Sequence, residues 1–280
     1  MSDSPVKTAL VTGASSGIGE STARKLHSLG YTVYGAARRT DRLEALSADG
    51  IRPLALDVTD DDAMTAAIEA IIGETGRIDV LVNNAGYGSY GALEDVSIEE
   101  ARRQFDVNVF GLARLTQLVL PHMRDQRSGL VVNVSSMGGR IHTPLGGWYH
   151  ATKFAVEALS DCLRMEVAPF GIAVVVIEPG AIATEWGRIA AEHLRGTADD
   201  SAYAAQVQAV AAALESESET RRSSPPGVVA DAIGKAVTAR RPRTRYAVGF
   251  AAKPLIAARR ALPDRAFDRL IARAMDLPRS

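Results

Sequence analysis

Cysteine is nearly missing from this chain, since Cys162 is the single one among 280 residues. No intramolecular disulfide can therefore form, and a metal site built from several thiolates is excluded. We expect the lone thiol to be a small buried side chain. A chain without disulfides fits a reducing compartment, so we also expect a cytoplasmic protein.

We also expect neither a membrane-spanning segment nor a secretory leader, and the net charge is small. No apolar run reaches the roughly 20 residues of a spanning helix, and residues 1–5 carry no basic n-region of a secretory signal. The formal net charge is −1 at pH 7. Because binding to nucleic acid depends on a basic surface, we expect no nucleic-acid partner.

The residues that are plentiful predict an α/β protein. Hydrophobic residues make up 46% of the chain, which is enough for a core, and the length suits one domain over 1–280. Short runs rich in Val and Ile alternate with longer helical patterns, which predicts a doubly wound, mostly parallel sheet with helices on both faces. The predicted strands are 8–12, 32–36, 53–56, 80–83, 130–134, 173–177 and 245–248.

Two helices have recognisable starts. Thr59 is expected to cap a helix whose first turn contains three aspartates, which suit its positive end. Ser97 and Glu100 have the spacing of a capping box.

A glycine-rich turn follows the first predicted strand, with the sequence TGASSGIG at residues 12–19. Gly13 permits a tight turn, and Gly17 and Gly19 allow the backbone to approach a pyrophosphate at the positive end of the following helix. Ser15 and Ser16 add hydroxyl donors. The turn therefore predicts a dinucleotide site, with an ordinary strand-to-helix loop as the alternative.

Arg38 and Arg39 end the second strand, where an acidic residue would favour NAD. Guanidinium groups pair well with phosphate, so we predict NADP(H) over NAD(H), with Arg38 as the leading contact to the 2′-phosphate and Arg39 as the second. A solvated helix start is the alternative for both arginines.

Tyr149 and Lys153 lie four positions apart in a predicted helix, so their side chains share one face. The pKa of tyrosine is ordinarily near 10, and a neighbouring ammonium lowers it towards the range in which a phenol exchanges protons. The pair therefore predicts an acid/base site. An exposed pair on a helix is the alternative.

These motifs occur in an order that resembles the short-chain dehydrogenase/reductase family. The resemblance rests on the spacing T-G-x-x-x-G-x-G, followed along the chain by Ser136 and then by Tyr149 and Lys153. Recognisable motifs of the family cover about residues 6–184. The resemblance implies a Rossmann fold and hydride transfer between the cofactor and an alcohol or ketone. Residues 33–39 and the basic C-terminal part resemble the branch of 17β-hydroxysteroid and retinol dehydrogenases.

The resemblance implies roles for four catalytic residues. Tyr149 exchanges the proton with the substrate oxygen, and Ser136, which fits the family spacing better than Ser135, hydrogen-bonds that oxygen. Lys153 lowers the pKa of the tyrosine and holds the nicotinamide ribose. Asn108 holds, through its main chain, a water linked to the lysine; a surface asparagine is the alternative.

The resemblance also implies contacts to the cofactor along the rest of the cleft. Asp57 and Val58 would meet the adenine, unless Asp57 only caps the next helix. The complete predicted set of cofactor contacts is Gly13, Ser15, Ser16, Gly17, Ile18, Gly19, Arg38, Arg39, Asp57, Val58, Asn83, Ala85, Gly86, Tyr149, Lys153, Pro179, Gly180, Ile182 and Thr184.

The C-terminal part is expected to shape the substrate side. Residues 181–225 are predicted to form a lid, and 240–280 a basic helical extension. The extension could cover the substrate mouth, meet another subunit, touch an anionic membrane surface, or pack as a solvated helix on its own domain. Met137, Trp148 and Trp186 suggest an apolar wall for a lipophilic substrate, with core packing as the alternative.

We expect a homodimer or homotetramer, because the resemblance implies pairing through the helices of Asn108 and Tyr149. We expect no metal, since tyrosine and serine can stabilise a developing oxyanion. His142 and His150 are left out of the site, because a histidine beside a motif more often lies at the surface or supports its neighbours. The rival functions are a non-catalytic NADP(H)-binding sensor, and an epimerase or dehydratase of the same family.

Overall fold

The sheet is the centre of the computed structural model, which describes residues 6–197, 201–216 and 222–278. Its strands are β1 (Thr8–Thr12), β2 (Thr32–Ala37), β3 (Arg52–Ala55), β4 (Val80–Asn83), β5 (Gly129–Val134), β6 (Ile172–Pro179) and β7 (Arg245–Val248). They are ordered β3-β2-β1-β4-β5-β6-β7, and every neighbouring pair is parallel. The chain therefore reverses direction across the sheet between β1 and β4, which confirms the doubly wound fold.

Helices cover both faces of the sheet. The α-helices of the described part are α1 (Gly17–Ser28), α2 (Thr40–Ser47), α3 (Asp61–Thr75), α4 (Ile98–Phe105), α5 (Leu112–Asp125), α6 (Gly147–Val167), α7 (Glu185–Gly196), α8 (Ala204–Ser216), α9 (Gly227–Thr238), α10 (Ala252–Ala261) and α11 (Asp264–Ala274). Buried residues of α1, α2 and α9 pack on one face of the sheet, and those of α3, α5 and α6 pack on the other. The carboxyl ends of β1 and β4 are left open between the two layers.

The start of α3 differs from the prediction by one residue. Asp60 caps the helix, because its side chain accepts a hydrogen bond of 3.0 Å from the backbone N–H of Ala63. Thr59 instead donates its N–H and its hydroxyl to Asp57 Oδ1, at 3.0 and 2.8 Å. The prediction of Thr59 as cap is wrong because Asp57 closes a turn that engages it first.

The start of α4 confirms half of the predicted capping box. Ser97 Oγ accepts from the backbone N–H of Glu100 at 3.1 Å. The Glu100 carboxylate accepts from the Tyr87 hydroxyl at 3.0 Å, so it links the helix to the loop after β4.

Buried charges hold the last strand in the sheet. Arg245 of β7 donates to Glu157 at 3.0 Å and to Asp161 at 2.7 Å, and lies 3.4 Å from Glu178. Glu157 and Glu178 are almost fully buried. Burial and the neighbouring Glu157 raise the pKa of Glu178, whereas Arg245 lowers the pKa of Asp161 to about 2. Arg245 therefore compensates negative charge from both α6 and β6.

The C-terminal helices pack on the domain itself. Phe267 and Ile271 of α11 are buried in a cluster with Ile141 and Ile256. Of the alternatives given for the C-terminal extension, the structure shows packing on its own domain, because the apolar face of α11 lies against that domain. No helix within the described ranges combines the length and apolar content needed to cross a bilayer.

Candidate active site

A cleft of about 930 Å³ opens at the carboxyl ends of the strands. The sheet reverses its order there, which is the usual place for a ligand in an open parallel sheet. One end of the cleft contains the glycine-rich turn, and the other contains Ser136, Tyr149 and Lys153. The predicted residues that line it are Gly13, Ser15, Ser16, Gly17, Ile18, Arg38, Arg39, Asp57, Val58, Ala85, Gly86, Ser136, Tyr149, Lys153, Pro179, Gly180, Ile182 and Thr184.

The turn after β1 has the backbone that its glycines predict. Gly13 and Gly17 have φ values of +65° and +55°, a region that glycine adopts without steric cost. The first turn of α1 then points into the cleft, and Ser16 at its N-cap makes no side-chain capping hydrogen bond. Free N–H groups at a positive helix end suit a pyrophosphate.

Three predicted residues lie beside or beneath the cleft and do not line it. Gly19 packs its Cα face against the carbonyl of Gly13, where a Cβ would come within 2.1 Å of the oxygen. Asn83 is buried and donates to Thr116 and Asn133, at 3.0 and 2.9 Å. Asn83 therefore joins β4 to α5 and β5, and the residue that reaches the cleft is its neighbour Asn84.

Asn108, the third of these, lies in a π-helical turn, Asp106–Gly111, between α4 and α5. It is 1% exposed, which excludes the alternative of a surface asparagine. Its side chain donates to the Tyr87 carbonyl at 2.9 Å and accepts from the Tyr87 N–H at 3.0 Å. A further bond of 3.1 Å joins it to Thr152 on α6, so Asn108 ties the loop after β4 to the helix of Tyr149 and Lys153.

Positive side chains surround the far end of the glycine-rich turn. Arg39 donates to Ser15 and Ser16, at 3.3 and 3.1 Å. Arg38 is largely exposed and lies 3.9 Å from Asp57. Glu185, which no sequence motif pointed to, accepts from Arg42 at 3.0 Å and lies 3.7 Å from Arg39. The Arg42 guanidinium lowers the pKa of this carboxyl.

Tyr149 and Lys153 share the inner face of α6, as predicted from their spacing. Both are buried, and Lys153 Nζ lies 6.0 Å from the centre of the Tyr149 ring. The ammonium donates to the Val134 carbonyl at 3.0 Å. Burial lowers the pKa of Lys153 to about 8, against the opposing effect of Glu157, so the amine is mostly charged at neutral pH.

Ser136 faces the cleft at the end of β5, before the short turn Met137–Gly139. Its Oγ accepts from the N–H of Gly138 at 2.9 Å, which leaves the hydroxyl hydrogen free to donate elsewhere. Ser135 Oγ is buried without a hydrogen-bond partner, and lies so close to Gly139 that a Cβ there would be 2.6 Å away. This geometry supports Ser136 as the serine of the site.

The half of the cleft around Tyr149 has an apolar wall. Met137 and Trp186 line it, as expected, together with Tyr90, Ile141 and Met275. The Trp186 ring lies 5.1 Å and the Tyr90 ring 5.6 Å from that of Tyr149, between centroids. Only the tertiary fold shows that Met275 belongs to this wall, because Met275 lies near the end of the C-terminal extension.

Trp148 was expected in this wall and lies elsewhere. Its ring packs against Phe105, 6.4 Å between centroids, in a shallow groove on the outer side with Ile98 and Phe110. The expectation is wrong because neighbouring residues of a helix point about 100° apart, so Trp148 cannot share the inward direction of Tyr149. Cys162, expected to be buried, is exposed on the same helix.

The predicted lid contains α7 and α8 in its described part. Trp186, Ile189 and His193 of α7 and Leu214 of α8 line the cleft. Residues 198–200 and 217–221 of the predicted lid lie outside the described residues. That the segment opens and closes stays a prediction.

The two histidines near the motifs differ. His142 is half-exposed and lies 3.0 Å from Asp268 of α11, as expected for a surface residue. His150 is buried among residues of the site and bonded at both ring nitrogens. Within the described ranges, no cluster of His, Cys, Asp or Glu side chains is arranged to hold a metal ion.

The chain is similar to known proteins along most of its length. The model of the family described as short chain dehydrogenase matches residues 7–194. A solved short-chain dehydrogenase from Streptomyces avermitilis is 34% identical, with a TM-score of 0.79 over 98% of this chain and 96% of that one.

Two relatives carry names that specify a reaction. A 3-ketodihydrosphingosine reductase of Bacteroides thetaiotaomicron is 45% identical over 61% of the chain, which spans only 62% of that relative's length. An NADPH-dependent 3-dehydrocapnine reductase of Ornithobacterium rhinotracheale is 36% identical over 94% of the chain and 95% of the relative.

Proposed function

The chain belongs to the short-chain dehydrogenase family, and on that premise we propose that it transfers a hydride between NADP(H) and a lipophilic alcohol or ketone. One observation carries the proposal. Tyr149, Lys153 and Ser136 meet at one end of a cleft whose other end is a glycine-rich turn at a helix N-terminus. An oxidoreductase of this family binds NAD(P), and the residues of this cleft fit such a cofactor.

The two halves of the cleft would divide the cofactor between them. The turn at Gly13 and the first N–H groups of α1 would hold the pyrophosphate, and Arg38 and Arg39 the 2′-phosphate. Lys153 would hold the nicotinamide ribose, and the backbone near Ile182 would face the nicotinamide amide. When bound, the nicotinamide supplies or accepts the hydride.

The side chains of the chain itself would supply the proton chemistry. In reduction, the Tyr149 hydroxyl gives its proton to the substrate oxygen, which Ser136 orients by donating its free hydroxyl hydrogen. Lys153, positively charged at neutral pH, stabilises the phenolate that remains. Oxidation of an alcohol uses the same groups in reverse. Asn108 holds the loop and helix that bring them together.

The wall of Tyr90, Ile141, Trp186 and Met275 supports a substrate with an apolar body. The two named relatives are reductases whose names place a keto or dehydro group at carbon 3, which supports a ketone as the group that reacts. The steroid and retinoid branch stays a prediction.

Consumption of NADPH with a panel of ketones tests this function. The panel contains 3-ketodihydrosphingosine, a steroid ketone and a small water-soluble ketone, and oxidation of NADPH is followed by its absorbance. We expect turnover with at least one lipophilic ketone and a lower kcat/KM for the small one. Tight NADPH binding without turnover on any ketone, or on the matching alcohols with NADP⁺, would favour the sensor.

The preference for NADP(H) gives a separate prediction. We expect Arg38→Ala and Arg39→Ala each to weaken NADPH binding about tenfold to a hundredfold, since a hydrogen bond to a charged group contributes roughly 1.5–3 kcal/mol. Binding of NADH should change little. Arg24→Ala is the control, because Arg24 lies on α1 and pairs with Glu20. Titration by cofactor fluorescence measures each dissociation constant, and wild-type binding of NADH as tight as that of NADPH contradicts the preference.

We also propose a homodimer or homotetramer formed through α4 to α6. Phe110, Phe154 and Met165 are 59%, 47% and 76% exposed there, and apolar exposure of this kind is typical of an interface. In sedimentation velocity, Phe110→Asp should shift the protein towards monomer, whereas Leu270→Asp on α11 should not. A wild-type monomer at micromolar concentration contradicts the proposal.

A further inference from the structure

A buried imidazole lies beside the proposed catalytic tyrosine and is among the residues that line the cleft. His150 follows Tyr149 in α6, is 6% exposed, and has its ring centroid 5.7 Å from that of Tyr149 and 6.4 Å from that of Tyr90. The proton and hydride steps above do not use it. Its burial and its contacts therefore need another explanation.

The hydrogen bonds of His150 determine its tautomer. The backbone N–H of Thr143 donates to Nε2 at 3.0 Å, and because an N–H can only donate, Nε2 carries no proton. The ring proton then lies on Nδ1, which donates to the Gly138 carbonyl at 2.8 Å. A single neutral form thus connects Gly138 to Thr143 across the loop that follows Ser136.

These bonds continue to the serine of the site. Gly138 accepts from His150 through its carbonyl and donates through its N–H to Ser136 Oγ, at 2.9 Å. The orientation of the Ser136 hydroxyl therefore depends on the position of Gly138, and the position of Gly138 depends on His150.

The loop is built around the ring. A Cβ on Gly138 would lie 3.0 Å from Nδ1, and a Cβ on Gly146 would lie 2.8 Å from Nε2. Between them, Leu145 has a φ of +60°, an uncommon and strained value for a residue with a side chain. A strained residue persists only where its surroundings hold it. The Leu145 carbonyl accepts from the Gly91 N–H at 2.7 Å, and the imidazole bonds to Thr143, two residues before Leu145.

We propose that His150 is a positioning residue, whose neutral ring holds the loop 137–146 so that Ser136 faces the substrate oxygen beside Tyr149. This inference rests on the proposed function. In this role His150 acts on Ser136 through Gly138. Its substitution should therefore reduce turnover more than it reduces binding of NADPH.

Acid should disturb the same arrangement. A protonated ring carries hydrogens on both nitrogens, so Nε2 would lose the bond from the Thr143 N–H and would donate instead to the Thr143 hydroxyl, 2.9 Å away. Burial lowers the pKa of His150 from its ordinary 6.5, and the charge of nearby His142 acts in the same direction, against the hydrogen bond to Gly138. The other groups facing the ring are the Tyr90 and Tyr149 side chains and the Thr143 hydroxyl. The loop should therefore stay intact at neutral pH and loosen as pH falls below 6.5 through the pKa of the folded protein.

The test combines variants with a pH profile. His150→Phe should lower kcat about tenfold, the usual effect of one lost hydrogen bond, with NADPH affinity unchanged within about twofold, and should remove the fall of kcat in acid. His150→Asn keeps a donor near Nδ1 and should recover part of the loss. His142→Asn, the control, should keep the wild-type kcat at neutral pH.

Two outcomes would overturn the inference. One is a His150→Phe enzyme with the wild-type kcat, KM and acid limb. The other is a ¹⁵N imidazole spectrum of the wild-type protein with the proton on Nε2, which also decides the matter if the phenylalanine variant does not fold. An absence of turnover in the wild-type protein would contradict the proposed function, while the spectrum would still test how the ring holds the loop.

Discussion

Replacing Tyr149 with phenylalanine is expected to lower kcat for ketone reduction by roughly 10²–10⁴-fold, the usual contribution of a positioned general acid. The substitution removes only the hydroxyl. The ring should keep its packing against Tyr90 and Trp186, so the shape of the cleft and the affinity for NADPH should stay within about twofold of the wild-type values. Steady-state kinetics and cofactor titration on one preparation measure both.

Tyr90→Phe is the matched control. It makes the same chemical change in a ring 5.6 Å away in the same cleft, and it leaves the proposed proton donor in place. We expect its kcat to stay within about tenfold of the wild-type value. If Tyr149→Phe instead behaved like Tyr90→Phe, the proton would come from another group and the proposed mechanism would fail.

Gly19→Ala should have the largest effect on the cofactor end of the cleft. The added Cβ would lie 2.1 Å from the Gly13 oxygen and 2.6 Å from Asn84 Nδ2. Because the first contact is with backbone, α1 must move away from the turn. We expect the free energy of unfolding to fall by about 1–3 kcal/mol and NADPH affinity to fall at least about tenfold, since the pyrophosphate site is made by that turn and that helix.

Gly73→Ala provides the comparison. Gly73 lies inside α3, and no atom lies within 4 Å of a Cβ added there. Alanine should raise the free energy of unfolding by roughly 0.5–1 kcal/mol through helix propensity, with no effect on NADPH. Chemical denaturation and cofactor titration of the two variants separate a steric effect at the turn from a general effect of losing glycine. Equal behaviour of the two would contradict the close packing of α1 on the turn.

The parts of the fold that the sequence predicted are those with strong local signals. The strands are buried runs of Val and Ile flanked by turns, and their observed bounds differ from the predicted ones by at most two residues. Tyr149 and Lys153 could be paired because both lie on one helix, where spacing alone determines direction. The cap of α3 was misplaced by one residue because a competing side chain, Asp57, engages Thr59.

The rest of the candidate site depends on contacts between distant segments. Met275 reaches the cleft only because Phe267 anchors α11 against Ile141. Asn83 and Asn84 are chemically identical neighbours, and only the pleat of β4 decides which one turns towards the cleft. The role of His150 depends on the path of a loop that local propensity does not define. The signal in the sequence that could have indicated the close packing of His150 was a glycine near each end of that loop, Gly138 and Gly146.

The ion pairs of Arg245 also change how the C-terminal part should be regarded. From its sequence, the segment 240–280 is a basic helical extension whose contacts were left open. Yet Glu157, one helical turn beyond Lys153, and Glu178 both lie closer to Arg245, at 3.0 and 3.4 Å, than to Arg140, at 3.7 and 3.8 Å. A chimaera that exchanged this segment for another would remove the nearer of two positive charges beside the helix of the proposed catalytic lysine, so grafting has to retain an arginine at the start of β7.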